Sequence, residues 1–318
     1  MKLFRIFLLG VIAAAALAAH EPTHRLFVTN EEDDSVSVID SRTHEMVATV
    51  EVGGRPRGIG FSPDHSKVYV ALGDENAIGV IDTDTLKVLK KIPAGSDPEA
   101  FAVHPNGRIY LSNEDSGKAT VLNPDTGKIE AEIQVGIEPE GVAVTPDGKK
   151  VMVTSESTNM VHVISVPEHE IVANILVGAR PREVAFSEDG RYGYVTCEVG
   201  GEVVKFDVET NKIVQRKKLR REIRLVKPKG IRRGPDGRFW IATGRGDLVA
   251  VLDADTLDLE KTIPVGRRVW GMAFSGDGKT LYVTNSLDGT LSVIDVAKEE
   301  EVKKIKTGGM PWGVILDD

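Results

Sequence analysis

One phrase recurs seven times along the chain, and its spacing leaves few folds open. It reads RPRGIGF (55–61), DPEAFAV (97–103), EPEGVAV (138–144), RPREVAF (180–186), KPKGIRR (227–233), RVWGMAF (268–274) and MPWGVIL (310–316). A second phrase ends at Asp40, Asp82, Asn123, Ser165, Asp207, Asp253 and Asp295, in steps of 42, 41, 42, 42, 46 and 42 residues. A third, of the type LFVTN or LYVTN, precedes each of these. Each unit of about 42 residues holds four short runs rich in Val, Ile and aromatics, alternating with period two. Pro, Asp, Gly and Asn separate them and set turns. Four strands per unit at this period is the signature of a propeller blade.

The expected fold is therefore all-β, a seven-bladed β-propeller with four antiparallel strands per blade. The chain is circularly permuted: it opens on a third-type phrase near residue 25 and ends on a lone first-type phrase at 310–316. The closing blade should combine a C-terminal inner strand, Pro311 to Ile315, with three strands from residues 25–52. Pairing the two ends removes edges that would otherwise be open to aggregation. In the x-Pro-x-Gly phrase, proline fixes the entry into the innermost strand. Glycine or alanine follows because seven strands crowd around one axis. The residues flanking the proline, and the loop after each YVTN-type strand, should face the same mouth of the central channel.

Residues 1–19, MKLFRIFLLGVIAAAALAA, have Lys2 and Arg5 ahead of an apolar run too short to span a bilayer comfortably, and Ala16-Leu17-Ala18 fits a small-x-small cleavage site. They read as a signal peptide, with residues 20–318 forming one propeller domain, periplasmic or secreted, monomeric, and without a membrane span after cleavage. The net charge of −8 argues against general attraction to nucleic acid or anionic membrane. With Cys197 as the one cysteine, no intrachain disulfide can form. Cys197 is expected to be a small strand-end residue.

The phrases LYVTN (281–285), VSVID (36–40), TPDGK (145–149) and GIEPEG (136–141) resemble those of YVTN-repeat propellers, over nearly the whole mature chain. RPRGI (55–59), DPEAFAVHPNG (97–107), SNED (112–115), TSESTNM (154–160), ARPR (179–182) and PWGV (311–314) resemble one subgroup more closely, the β-propeller proteins associated with catabolism dependent on pyrroloquinoline quinone, PQQ. The resemblance implies an exported accessory protein acting beside quinone-dependent oxidation. It does not imply that this chain binds the quinone.

Three candidate sites follow. The first is the mouth: Arg55, Arg57, Asp97, Glu99, Glu138, Glu140, Arg180, Arg182, Lys227, Lys229, Arg268, Trp270, Met310 and Trp312. Arginine offers a planar fork for carboxylates and tryptophan a flat face for a ring, a combination suited to a planar polycarboxylate such as PQQ. The bland reading is that neighbouring charges pair and the indoles fill gaps. The second is an acidic loop set, Glu31, Glu32, Asp33, Asp34, Asp74, Glu75, Glu114, Asp115 and Glu156, read as solvated turns. These could take Ca2+, but no DxDxDG loop is present. The third is the stretch 216–233, responsible for the 46-residue step, with ten basic residues, among them Arg220, Arg221 and Arg224, and one acid, Glu222.

No nucleophile elbow, P-loop, dinucleotide fingerprint or histidine metal spacing is present in the sequence. No catalytic residue, metal ligand or definite cofactor is assigned, with PQQ and Ca2+ as the candidate cofactors. The leading expectation is a non-enzymatic binding or scaffold propeller whose partner is a protein of an oxidation system or a small anion. One alternative is a lactonase-type hydrolase with a divalent metal on Asp97, Glu99, Glu138 and Glu140. Another is single-stranded nucleic-acid binding through 216–233.

Overall fold

The protein is described by a computed structural model covering residues 20–318. The signal-peptide reading of residues 1–19 lies outside the described residues.

Seven four-stranded antiparallel sheets form the blades. Blade 1 comprises Pro56–Phe61, Lys67–Leu72, Ala77–Asp82 and Val88–Pro93, and blades 2 to 6 repeat this order. Blade 7 pairs the C-terminal strand Pro311–Asp317 with Arg25–Asn30, followed by Ser35–Asp40 and Met46–Glu51. The chain ends are thus hydrogen-bonded to one another, Leu26 opposite Leu316 and Val28 opposite Val314. Among the described residues no helix is long and apolar enough to cross a membrane.

The core is divided into seven wedges, one between each pair of adjacent blades. Phe27, Val36 and Val38 of blade 7, for instance, pack on Val68, Val70 and Leu72 of blade 1. Alternation explains this: both faces of each sheet are covered by a neighbour, so the middle strands carry almost no exposed residue. The axis is left to polar groups and small residues. A Cβ on Gly271 would lie 2.4 Å from the Trp312 carbonyl oxygen, and one on Gly230 would lie 2.5 Å from the Trp270 carbonyl oxygen. The glycines therefore admit the next blade's backbone.

The threonine of the YVTN phrase has a related task. Thr154 Oγ1 receives the Gly141 amide of its own blade at 2.8 Å and donates to the Arg182 carbonyl of the next at 2.9 Å. Thr196 reaches the Lys229 carbonyl at 2.6 Å, and Thr284 reaches the Trp312 carbonyl at 3.1 Å. Ala71 and Ala242 occupy the corresponding positions in blades 1 and 5 and have no hydroxyl to offer.

Cys197 closes the strand Tyr192–Cys197 and is fully buried; burial pushes its thiol up to about 12. It is a packing residue, as expected.

Candidate functional site: the charged channel mouth

Five inner strands start with a register irregularity just after their proline, as between Pro56 and Ile59, Pro98 and Phe101, or Pro181 and Val184; blade 6 has one after Val269, and the short blade 5 strand Ile231–Arg233 has none. Such bulges re-aim side chains, and in those six blades they turn one residue toward the axis, with Lys229 at the matching position of blade 5. In blade order this ring is Arg57, Glu99, Glu140, Arg182, Lys229, Trp270 and Trp312. A second ring stands before the bulge: Arg55, Asp97, Glu138, Arg180, Lys227, Arg268 and Met310. Six of these seven have left-handed backbone, with φ between 49° at Asp97 and 58° at Arg180. That is costly for non-glycine residues. It is held by the blade before: Asp34 accepts the Arg55 amide at 3.1 Å, Asn76 that of Asp97 at 2.7 Å, Asn159 that of Arg180 at 3.0 Å and Asp247 that of Arg268 at 3.0 Å.

Pairing neutralises half of the mouth. Arg55 bonds Asp97 and Arg57 bonds Glu99, whose side chain is fully buried, while Arg57 Nη2 also takes Glu31 at 2.6 Å. Arg182 bonds Glu140 at 2.5 Å and also Glu156, and Arg180 meets Glu156 at 2.5 Å. Burial opposes ionisation of Glu140, but Arg182 and Lys229 outweigh it and hold its carboxyl below the usual range. Burial, assisted by Glu140, pushes the Glu114 carboxyl up.

The other half is unpaired. Among the described residues, Lys227, Lys229, Arg245 and Arg268 have no carboxylate within 4.0 Å. Two of these gather instead on one indole, beside the paired Arg182. Arg268 lies 4.4 Å, Arg182 5.1 Å and Lys229 5.8 Å from the centre of Trp270, and Lys229 Nζ is 3.8 Å from that of Trp312. Both tryptophans are buried, at 6% and 8% exposure. Cations thus lie against both indoles that were expected to offer a face to a ligand ring. A cation held by an indole keeps its whole charge, whereas one held by a carboxylate is neutralised. The Trp270 Nε1 donor is buried without a partner.

A cavity of about 360 Å3 opens here, lined by seven cationic side chains, three carboxylates (Glu114, Glu140 and Glu198) and both tryptophans. Of the residues expected at the mouth, it brings together Arg55, Arg57, Glu140, Arg180, Arg182, Lys227, Arg268, Trp270 and Trp312. Asp97 and Glu99 lie behind the arginines that bond them. Lys229 lines a second cavity of about 100 Å3 on the axis. Glu138 lines neither cavity and bonds Ser157.

Sequence reasoning missed Glu198 and Arg245, although both follow a YVTN-type strand and so fall under the loop rule stated above. It also missed Glu183, which stands where other blades have Gly or Ala, lines the axial cavity and bonds Arg232 at 2.5 Å and the Ile231 amide at 3.0 Å. Two acidic-loop residues are corrected as well. Glu31 and Glu156 are ion-pair partners inside the mouth, Glu156 only 4% exposed, rather than solvated turns.

The carboxylates that converge most closely are Asp97, Glu99 and Glu114, rather than the expected set with Glu138 and Glu140. Arg55 and Arg57 bond Asp97 Oδ1 and Glu99 Oε1, so two guanidinium groups stand against this trio, while Glu99 Oε2 is buried without a partner.

The basic insertion is an anchored loop. Leu219, Ile223 and Val226 enter the apolar wedge between blades 4 and 5, and Arg220 bonds the carbonyls of Val199 and Gly200. Arg221 and Arg224 are exposed.

Comparison with known proteins agrees with the architecture. The chain is similar to protein NirF of Stutzerimonas stutzeri, 35% identical over 83 residues, which are 26% of this chain and 19% of that protein. It thus spans under a fifth of the length of that relative. Hydrazine synthase of Kuenenia stuttgartiensis shares the fold at a TM-score of 0.78 and 23% identity, covering 86% of this chain and 93% of that one. The dihydro-heme d1 dehydrogenase NirN, in complex with DHE, does so at 0.66 and 19%, covering 90% and 64%. The family described as lactonase, 7-bladed beta-propeller matches residues 141–307, just over half of the chain. With that match running through four of the seven four-stranded blades, the chain belongs to the lactonase family of seven-bladed β-propellers.

Proposed function

We propose that this propeller is a binding protein that takes a compact polycarboxylate at its channel mouth, in the service of PQQ-dependent catabolism. One observation carries the reading: a chain of net charge −8 lines its mouth cavity with seven cations and three carboxylates. The cavity volume lies near the lower end of the roughly 300–1,000 Å3 usual for small-molecule sites, which favours a single compact ligand. Arg268, Arg245 and Lys227 would hold carboxylates, since no acid of the protein competes for them. PQQ has this chemistry, and the sequence resemblance points to the same setting.

The test is a titration of tryptophan fluorescence with PQQ, corrected for ligand absorption. Saturable quenching is expected, weakened at least tenfold in Arg268→Gln and only modestly by rising salt, because charge–charge contacts inside the cavity are little screened. A flat titration at low salt would remove the proposal.

A second reading, a hydrolase of lactones, is favoured by the family match. Hydrolysis of a sugar lactone by the purified protein, lost in Glu99→Gln, would support it.

A further inference from the structure

Lys229 is the odd member of its ring. Arg57 is matched by Glu99 and Arg182 by Glu140, while Lys229 is followed by two tryptophans. It is 5% exposed and lines the axial cavity directly beneath the mouth. Its backbone is clamped on both sides, the amide donating to the Ala242 carbonyl at 2.9 Å and the carbonyl accepting from Thr196 at 2.6 Å. The amine therefore reaches the cavity from a fixed base.

We propose that Lys229 is a nucleophile that forms a Schiff base with the carbonyl carbon of an anionic oxo acid seated in the axial cavity, whose lining shares Glu140, Arg182 and Trp312 with the mouth. This rests on the reading of the mouth as a polycarboxylate site and adds a covalent activity to it. The free amine attacks the carbonyl carbon through its nitrogen lone pair. The C=O π pair moves to oxygen, which takes a proton and gives a carbinolamine. Loss of that oxygen with two protons, as water, forms the C=N bond, and no oxidant or reductant is consumed.

The surroundings suit each stage. Lysine becomes a nucleophile when it is desolvated beside other cations. The groups facing Lys229 are Glu140 and Arg182 on one side, Glu183 and Arg232 on the other, and the two indoles. Burial pulls its ammonium down to about 8, against Glu183 and Glu140 and with the help of Arg182 and Arg232. A usable fraction is thus neutral near physiological pH. The iminium formed would lie over the Trp312 face that now holds the ammonium. The carboxylate of the oxo acid would lie toward Arg268, which shares Trp270 with Lys229.

The experiment is reductive trapping of the mature protein with pyruvate and sodium cyanoborohydride, followed by tandem mass spectrometry. Trypsin does not cut between Lys227 and Pro228, so fragmentation must place the adduct. The expected result is an adduct on Lys229, formed faster as pH rises through about 8. It should be absent from Lys229→Arg, which keeps the charge. An adduct confined to exposed lysines such as Lys298, or to Lys227, would overturn the assignment. In that case Lys229→Arg should still bind PQQ by fluorescence if the mouth reading stands. Loss of binding in the unaltered protein would remove that reading separately.

Discussion

At the scale of the residue, the mouth is a problem of pairing. Glu99, Glu140 and Arg182 are all at least nineteen-twentieths buried, and each is matched. Removing one partner leaves a buried charge uncompensated, which costs about 3–5 kcal/mol. Arg182→Met should therefore destabilise the fold by about that amount, because it strands Glu140, while Glu156 keeps Arg180. Urea unfolding checks this, and a midpoint within error of the parent would show that the pair is not stabilising. The residue types at the mouth were readable in the sequence, since the x-Pro-x-Gly phrase puts one residue on each side of its proline. Their partners were not. Glu31 and Glu156 come from loops that look like ordinary acidic turns, and only the distance of each loop from the neighbouring blade's arginine decides that they turn inward.

At the scale of the element, the insertion between blades 4 and 5 shows charge misleading and hydrophobic spacing informing. Ten basic residues dominate 216–233, yet Leu219, Ile223 and Val226 fix the segment. Leu219→Ala should cost about 2–5 kcal/mol, as for other fully buried leucines. Neutralising the exposed pair Arg221 and Arg224 should change stability by no more than about 0.5 kcal/mol each. Thermal melts of the two variants side by side test the contrast; equal losses would mean that the loop is held by charge. The apolar letters at 219, 223 and 226 were the available signal, spaced by four and three.

At the scale of the whole molecule, closure depends on the last strand. Asp317 accepts from the Thr23 amide and hydroxyl, both at 2.7 Å, and lies 3.0 Å from His20 and 3.1 Å from His65. Burial opposes ionisation of Asp317, but these hydrogen bonds outweigh it and hold its carboxyl at about 2, below the ordinary 3.8. A lowered carboxyl contributes stability that is fully present above the unfolded value and is lost as pH falls through the folded one. Asp317→Asn should thus lower the melting temperature at neutral pH. The gap from the parent should narrow between about pH 4 and pH 2. A gap constant across that window would mean that the carboxylate charge has no part in joining the ends.

The sequence by itself determined the number of blades, their strands, the closing pair and the small residues at the axis. These follow from local periodicity and from crowding that every repeat shares. Only the tertiary structure decided which charges cancel. Pairing around a ring depends on which blade stands beside which and how far each loop reaches, and those distances are set by sheet packing between blades. The same packing covers the faces of Trp270 and Trp312 with cations, leaving one side of the mouth positive in an acidic protein.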